Sequence, residues 1–282
     1  MKKSTCIAIM ILVLWIPACT QPAAIKSPPG YDLNKPEVYK LPASLNEVSG
    51  IAFRNGNPDT LYAEQDEEGK LFYLKPGDAT ANAIKFGKKG DYEDLGFYKD
   101  NALLLRSDGA IFIFSLRDVR QGEASNVTEL KDILPDGEYE AMEVDQANGT
   151  IYVLCKECPD QKKERRIPGY KITASSPELI KTEPFFIDEK QLEGFNGGKK
   201  LNLKTSAITK NPLTGEWYIL SAVNKMLIVT DDRWKVKDLY PLSPAYLFPQ
   251  PEGIAFDANN NLYISNEGSG TAGGTVLLFK RK

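Results

Sequence analysis

The residues with the clearest chemical capacity are glutamates that return at near-constant spacing. Glu47 opens Glu47-Val48-Ser49-Gly50-Ile51-Ala52-Phe53, and Glu93 opens Glu93-Asp94-Leu95-Gly96-Phe97. Glu140 opens Glu140-Ala141-Met142-Glu143-Val144, and Glu252 opens Glu252-Gly253-Ile254-Ala255-Phe256. A fifth copy, Thr205-Ser206-Ala207-Ile208-Thr209, carries Ser206 where the others carry the acid. Carboxylates brought together repel one another unless a proton or a cation intervenes. With oxygen donors alone, a hard cation such as Ca²⁺ or Mg²⁺ suits them better than zinc or copper, and a flexible set favours Ca²⁺. The alternative is structural: each acid accepts backbone N–H bonds from its neighbour and staples the fold.

Convergence depends on the elements that carry these residues. The steps from Glu47 to Glu93, Glu140, Ser206 and Glu252 are 46, 47, 66 and 46 residues. Each unit holds short alternating or apolar runs broken by turn residues such as Asn55-Gly56-Asn57-Pro58 and Pro76-Gly77-Asp78. A repeat of this length with four short strands per unit predicts an all-β chain, a five-bladed β-propeller of four-stranded antiparallel blades. The long step leaves room for an insertion of about 20 residues, divided between 156–166 and 189–203. The last unit is one strand short, while Glu37–Leu41 is unassigned. Pairing that N-terminal strand onto the last blade closes the ring and removes an open sheet edge.

In such a blade the start of the first strand and the end of the second share one rim. That rim gathers the metal candidates Glu47, Glu93, Glu140 and Glu252 with Asp66, Arg106, Asp108, Lys156, Ser206, Ser221, Asn266 and Glu267 as candidate ligand contacts. Gly50 and Gly253 suit crowding of strands near the axis.

Composition narrows the chemistry. The chain has no histidine, which excludes a Ser-His-Asp triad and any His-ligated metal. Its 35 basic and 38 acidic residues leave no basic footprint for nucleic acid. The cluster Lys162-Lys163-Glu164-Arg165-Arg166 reads as a solvated loop. Lys2 and Lys3 precede an apolar run, Cys6–Ile16, that ends in Ile16-Pro17-Ala18-Cys19. This pattern predicts a lipoprotein signal peptide over 1–18, a lipid on Cys19, a Pro-rich tether over 19–35 and the propeller over 36–282. The expected setting is the periplasm-facing bacterial envelope, as a membrane-anchored monomer. Cys155 and Cys158 are then the remaining cysteines: a loop staple, a pair of free thiols, or a redox or metal pair.

The chain resembles the SdiA-regulated family of bacterial proteins, propellers related to the NHL type. The resemblance rests on Leu45-Asn46-Glu47-Val48-Ser49-Gly50-Ile51, Gly90-Asp91-Tyr92-Glu93 and Leu105-Arg106-Ser107-Asp108-Gly109. Phe248-Pro249-Gln250-Pro251-Glu252-Gly253-Ile254-Ala255-Phe256 and Leu262-Tyr263-Ile264-Ser265-Asn266-Glu267-Gly268 complete it. It implies five blades and a bound Ca²⁺. Asp94 and Ala141 stand where the motif has glycine. The expected function is Ca²⁺ binding, with capture of a ligand or partner at the channel mouth. The competing expectation is a Ca²⁺-dependent hydrolase of an ester, lactone or phosphate.

Overall fold

The computed structural model describes residues 26–159, 161–176, 179–269 and 272–282. The predicted signal peptide and Cys19 lie outside them. Strand β1 (Glu37–Lys40) comes first among the described residues. Blade 1 holds β2 (Val48–Ala52), β3 (Leu61–Gln65), β4 (Lys70–Leu74) and β5 (Asn82–Lys85). Blade 2 holds β6 (Tyr92–Tyr98), β7 (Asn101–Arg106) and β8 (Ile111–Ser115). A two-residue hairpin, β9 (Val119–Arg120) and β10 (Glu123–Ala124), follows before the blade's outer strand β11 (Val127–Leu130). Blade 3 holds β12 (Glu138–Val144), β13 (Ile151–Glu157), β14 (Arg166–Ser176) and β15 (Leu179–Asp188). Blade 4 holds β16 (Ala207–Lys210), β17 (Trp217–Ser221), β18 (Met226–Thr230) and β19 (Val236–Pro241). Blade 5 holds β20 (Pro251–Phe256), β21 (Leu262–Asn266) and β22 (Thr275–Phe279).

The expected closure is present. β1 lies antiparallel to β22, with Glu37 opposite Leu278 and Lys40 opposite Thr275. The fifth blade therefore reads β1-β22-β21-β20 from rim to axis. The β9–β10 hairpin was not foreseen. It leaves blade 2 and adds to blade 1, where β10 runs parallel to β5. The insertion flanks the β14–β15 hairpin, itself long, whose paired residues run from Arg166↔Asp188 to Ser176↔Leu179. Its second part carries a one-turn helix, α1 (Lys190–Glu193), and is pinned rather than free. Leu192 and Leu203 are buried, and the Glu189 carboxylate accepts the Leu203 N–H at 3.0 Å.

Alternation along each strand sends apolar side chains to both faces of a blade, so each blade packs against two neighbours. The core accordingly divides among the five blade interfaces. Ala63, Phe72 and Val48 of blade 1 meet Tyr263, Val276 and Leu278 of blade 5. Leu103, Leu105 and Ile111 of blade 2 meet Met142, Val144 and Val153 of blade 3. Phe185 and Trp234 stack at 3.9 Å and 7° between blades 3 and 4. Each such interface positions one inner strand against the next, and the inner strands β2, β6, β12, β16 and β20 line the axis.

The inner ends crowd as expected. A Cβ on Gly253 would stand 2.5 Å from the Ser49 carbonyl oxygen, and one on Gly50 would stand 2.8 Å from the Asp94 Cα. No other residue fits at that approach without moving backbone.

A candidate cation site at the acidic channel mouth

Four of the inner strands break register at the acid motif. The pairing shifts between Val48 and Ile51, Tyr92 and Asp94, Tyr139 and Ala141, and Pro251 and Ile254. A bulge takes a residue out of the ladder and re-aims its side chain. Glu93, Glu140 and Glu252 are the residues so released. The equivalent pairs Ile51↔Ala63, Leu95↔Leu104, Met142↔Val153 and Ile254↔Ile264 fix the levels. Two residues before each stand Ser49, Glu93, Glu140 and Glu252. Glu47 is thus displaced from the repeat: it lies two residues upstream of that level, exposed, ahead of β2.

The mouth nevertheless brings many of the expected residues into one field. Burial pushes the Glu93 carboxyl up to about 9, reinforced by Asp91, Glu252 and Asp66 and opposed by Lys156. Burial also raises Glu252, with Asp66 adding to it and Lys156 and Lys225 opposing. Glu267 is pushed up to about 7 by burial and by Glu252, Asp66 and Glu47. Asp66 is raised by burial and then by Glu47 and Asp91. Below them the Glu64 carboxyl is fully enclosed and raised well above its ordinary value, chiefly by burial. It accepts the Gly50 N–H at 2.6 Å. Its second oxygen, Glu64 Oε2, has no hydrogen-bond partner, and the same holds for Asp66 Oδ1 and Asn266 Oδ1.

Lys156 supplies the nearest positive charge. Its ammonium pairs with Glu140 and lies 3.3 Å from Glu138. Cys155 and Cys158, on either side of it, are joined in a disulfide. Lys225, two residues before its own strand's first buried apolar position, donates to the Pro249 carbonyl near Glu252.

The other rim candidates are used differently. Arg106 bonds Asp108 through two nitrogens at 2.9 and 2.8 Å and reaches Glu129 on the outer strand at 3.1 Å. That pair faces the outside of blade 2, so it does not join the acid field. Ser206 donates to the Pro251 carbonyl and accepts the Ala222 N–H, which ties blade 4 to blade 5. Ser221 bonds Asn224 within the β17–β18 turn. Asn266 donates to Leu247 O and Thr275 Oγ1, both at 3.3 Å.

The stapling role exists too, carried by a residue outside the expected set. Asp94 is buried where the motif has glycine, and its carboxyl accepts the Leu95 N–H at 2.8 Å and the Met142 N–H of blade 3 at 2.7 Å. Its departure from the glycine pattern was the only sequence signal of that role. Glu143 sits farther along the channel. Burial pushes it up to about 8, against a hydrogen bond from Thr209 and the nearby Lys210 charge. The channel then opens on the opposite face into a cavity of about 580 Å³ lined by Glu143, Asp145, Lys210, Asn211 and Trp217.

Comparison with known proteins gives the family and the fold. A family model described as SdiA-regulated matches residues 30–269. The chain belongs to the SdiA-regulated family. No curated protein matches it. Among solved structures it is similar to a luciferin-regenerating enzyme, at 10% identity and a TM-score of 0.57, covering 87% of this chain and 95% of that one. It is also similar to regucalcin, a calcium-binding protein from Agrobacterium tumefaciens, at 12% identity and a TM-score of 0.51, covering 86% and 93%. A streptogramin B lyase gives 11% identity and a TM-score of 0.50, covering 87% and 98%. At these identities the likeness is one of fold.

The donor chemistry of this SdiA-regulated mouth fits a hard cation. Its groups are carboxyl and amide oxygens, Asp66 beside the mouth acids keeps one acceptor oxygen without a partner, and burial together with neighbouring carboxylates raises the cost of charging Glu93 and Glu267. As the side chains stand, no group of three acidic or cysteine side chains among the described residues closes on a shared metal position. Glu140 is instead held by Lys156.

Proposed function

We propose that this protein is a lipid-anchored envelope propeller whose acidic channel mouth binds Ca²⁺ and, with it, a ligand or partner. One observation carries the reading: Asp66, Glu93, Glu252 and Glu267 share a half-buried mouth in which burial raises the proton affinity of all four and Asp66 adds to that of the other three. Two carboxylates about 4 Å apart repel by roughly 4 kcal/mol at an effective dielectric near 20. A divalent cation turns that repulsion into attraction. Asp66 Oδ1 and Asn266 Oδ1 add acceptors with nothing else to accept from. Glu93 and Glu252 would supply first contacts from the bulges, with Asp66, Glu267 and Asn266 completing the oxygen set. The protein's own residues would do the rest: the bulges aim the carboxylates, and the blade interfaces keep them at the axis. The calcium-binding regucalcin shares the fold and supports the choice of ion.

Calorimetric titration with Ca²⁺ and thermal melts in Ca²⁺ or EDTA test the reading. Bound metal should stabilise the fold by about 2.7 kcal/mol at free Ca²⁺ a hundredfold above Kd. Glu93→Gln and Glu252→Gln should each weaken binding by about tenfold or more. No heat and no Ca²⁺-dependent shift in wild type would overturn the site.

A further inference from the structure

Lys156 is bracketed. The residues before and after it in the β13 end and turn, Cys155 and Cys158, close a loop around it through their disulfide. The disulfide packs on the backbone of Gly137, where a Cβ would stand 2.6 Å from Cys158 Sγ. The Cys155 carbonyl is held by Thr205 Oγ1 at 3.2 Å, and Glu157 is held by Lys204. Three contacts on four residues therefore fix the backbone from which the Lys156 side chain leaves. Its side chain is one-quarter exposed and its ammonium ends on Glu140 and Glu138, and its field reaches Glu93 and Glu252 across the mouth.

We propose that Lys156 is a tethered counter-ion that competes with a divalent cation for the mouth carboxylates, and that the Cys155–Cys158 loop holds it in that competition. This rests on the reading of the mouth as a cation site. An ammonium carries one charge and donates three hydrogen bonds. It satisfies Glu140 and one neighbour but leaves Asp66, Glu93, Glu252 and Glu267 short of charge. A divalent ion brings twice the charge and gathers more oxygens. It must either displace Lys156 from Glu140 or bind beside it against its repulsion. In both cases Lys156 weakens the ion's hold and sets the concentration at which the site fills. A cation fixed to the chain is present at any ionic strength, so the ring keeps a partial counter-charge when the metal is scarce.

The test uses the folded domain with Ca²⁺ as the probe. Kd is measured by calorimetry, and melting temperature in EDTA and in saturating Ca²⁺, for wild type, Lys156→Met, Lys156→Gln and the double variant Cys155→Ser with Cys158→Ser. Both Lys156 variants should bind Ca²⁺ at least about tenfold more tightly than wild type. They should melt lower than wild type in EDTA, where the counter-ion is lost, and gain more than wild type from Ca²⁺. The double serine variant should lie between, because its lysine is present but less confined. A lysine with only a structural role would lower both melting temperatures equally and leave Kd unchanged. That outcome, with wild type binding Ca²⁺, overturns this proposal and leaves the cation site standing. Absence of binding in wild type and in both Lys156 variants overturns both readings. Binding in the variants alone upholds the competition and overturns Ca²⁺ binding by the native mouth as proposed above.

Discussion

Single residues in this channel carry charge states set by their surroundings more than by their type. Glu143 shows the consequence most directly, since it lies away from the mouth. Its carboxyl titrates near 4.5 when unfolded and is pushed up to about 8 in the fold. Between those values the folded protein holds a proton that the unfolded chain has released. Stability must therefore fall as pH rises from about 4.5 to about 8, with the loss complete above that range. Glu143→Gln keeps the shape and a hydrogen bond to Thr209 without the titration. Its melting temperature should vary less between pH 5 and 8.5 than that of wild type, and should exceed it at pH 8.5. Asp94 makes the complementary case. Asp94→Ala would orphan the Met142 N–H across a blade interface, and should cost about 1–3 kcal/mol in denaturant melts.

At the scale of elements, strands and closure were legible and the aim of side chains was not. Turn residues punctuated the alternating runs, and the short fifth unit left Glu37–Leu41 as the only strand available to finish it. Both are local properties of sequence. The register shifts are not. Whether Glu93 sits in the ladder or bulges out of it depends on how β6 meets β7, which no residue spacing within β6 specifies. Glu47 illustrates the limit: its spacing from Glu93 suited the repeat, yet Ser49 occupies the equivalent level. Asp94 was visible as an exception to the glycine pattern, but its partner, the Met142 N–H, is 48 residues away. The β9–β10 hairpin was illegible because two-residue strands carry no periodicity. Closure itself can be tested. A chain begun at Pro42 lacks β1 and leaves β22 as an exposed edge. It should melt well below a chain begun at Lys26 and aggregate on heating, as seen by light scattering.

For the whole molecule, the described chain enters the disc along one side. Lys26 pairs with Asp238 on the outer strand of blade 4 at 2.5 Å. Tyr31 then passes under the side of the ring opposite the acidic mouth, where it bonds the Asn260 carbonyl and packs on Tyr218 and Phe256. The lipid proposed on Cys19 would be joined to the disc through this stretch of chain. Cys19→Ser should move the protein from the membrane pellet to the soluble fraction, and intact mass should show the loss of the acyl chains.

The pairing of β1 with β22 also brings the start of the described propeller to its finish. The Lys282 N–H donates to the Gly30 carbonyl at 3.0 Å, and Arg281 stacks over Tyr31. A ring whose start and finish touch has no intrinsic first blade. A short linker from Lys282 to Gly30 would let the chain be cut elsewhere, for instance between Gly197 and Gly198, where a Cβ on either glycine meets nothing. Such a circular permutant should fold to the same disc, because every blade interface survives the relocation of the ends.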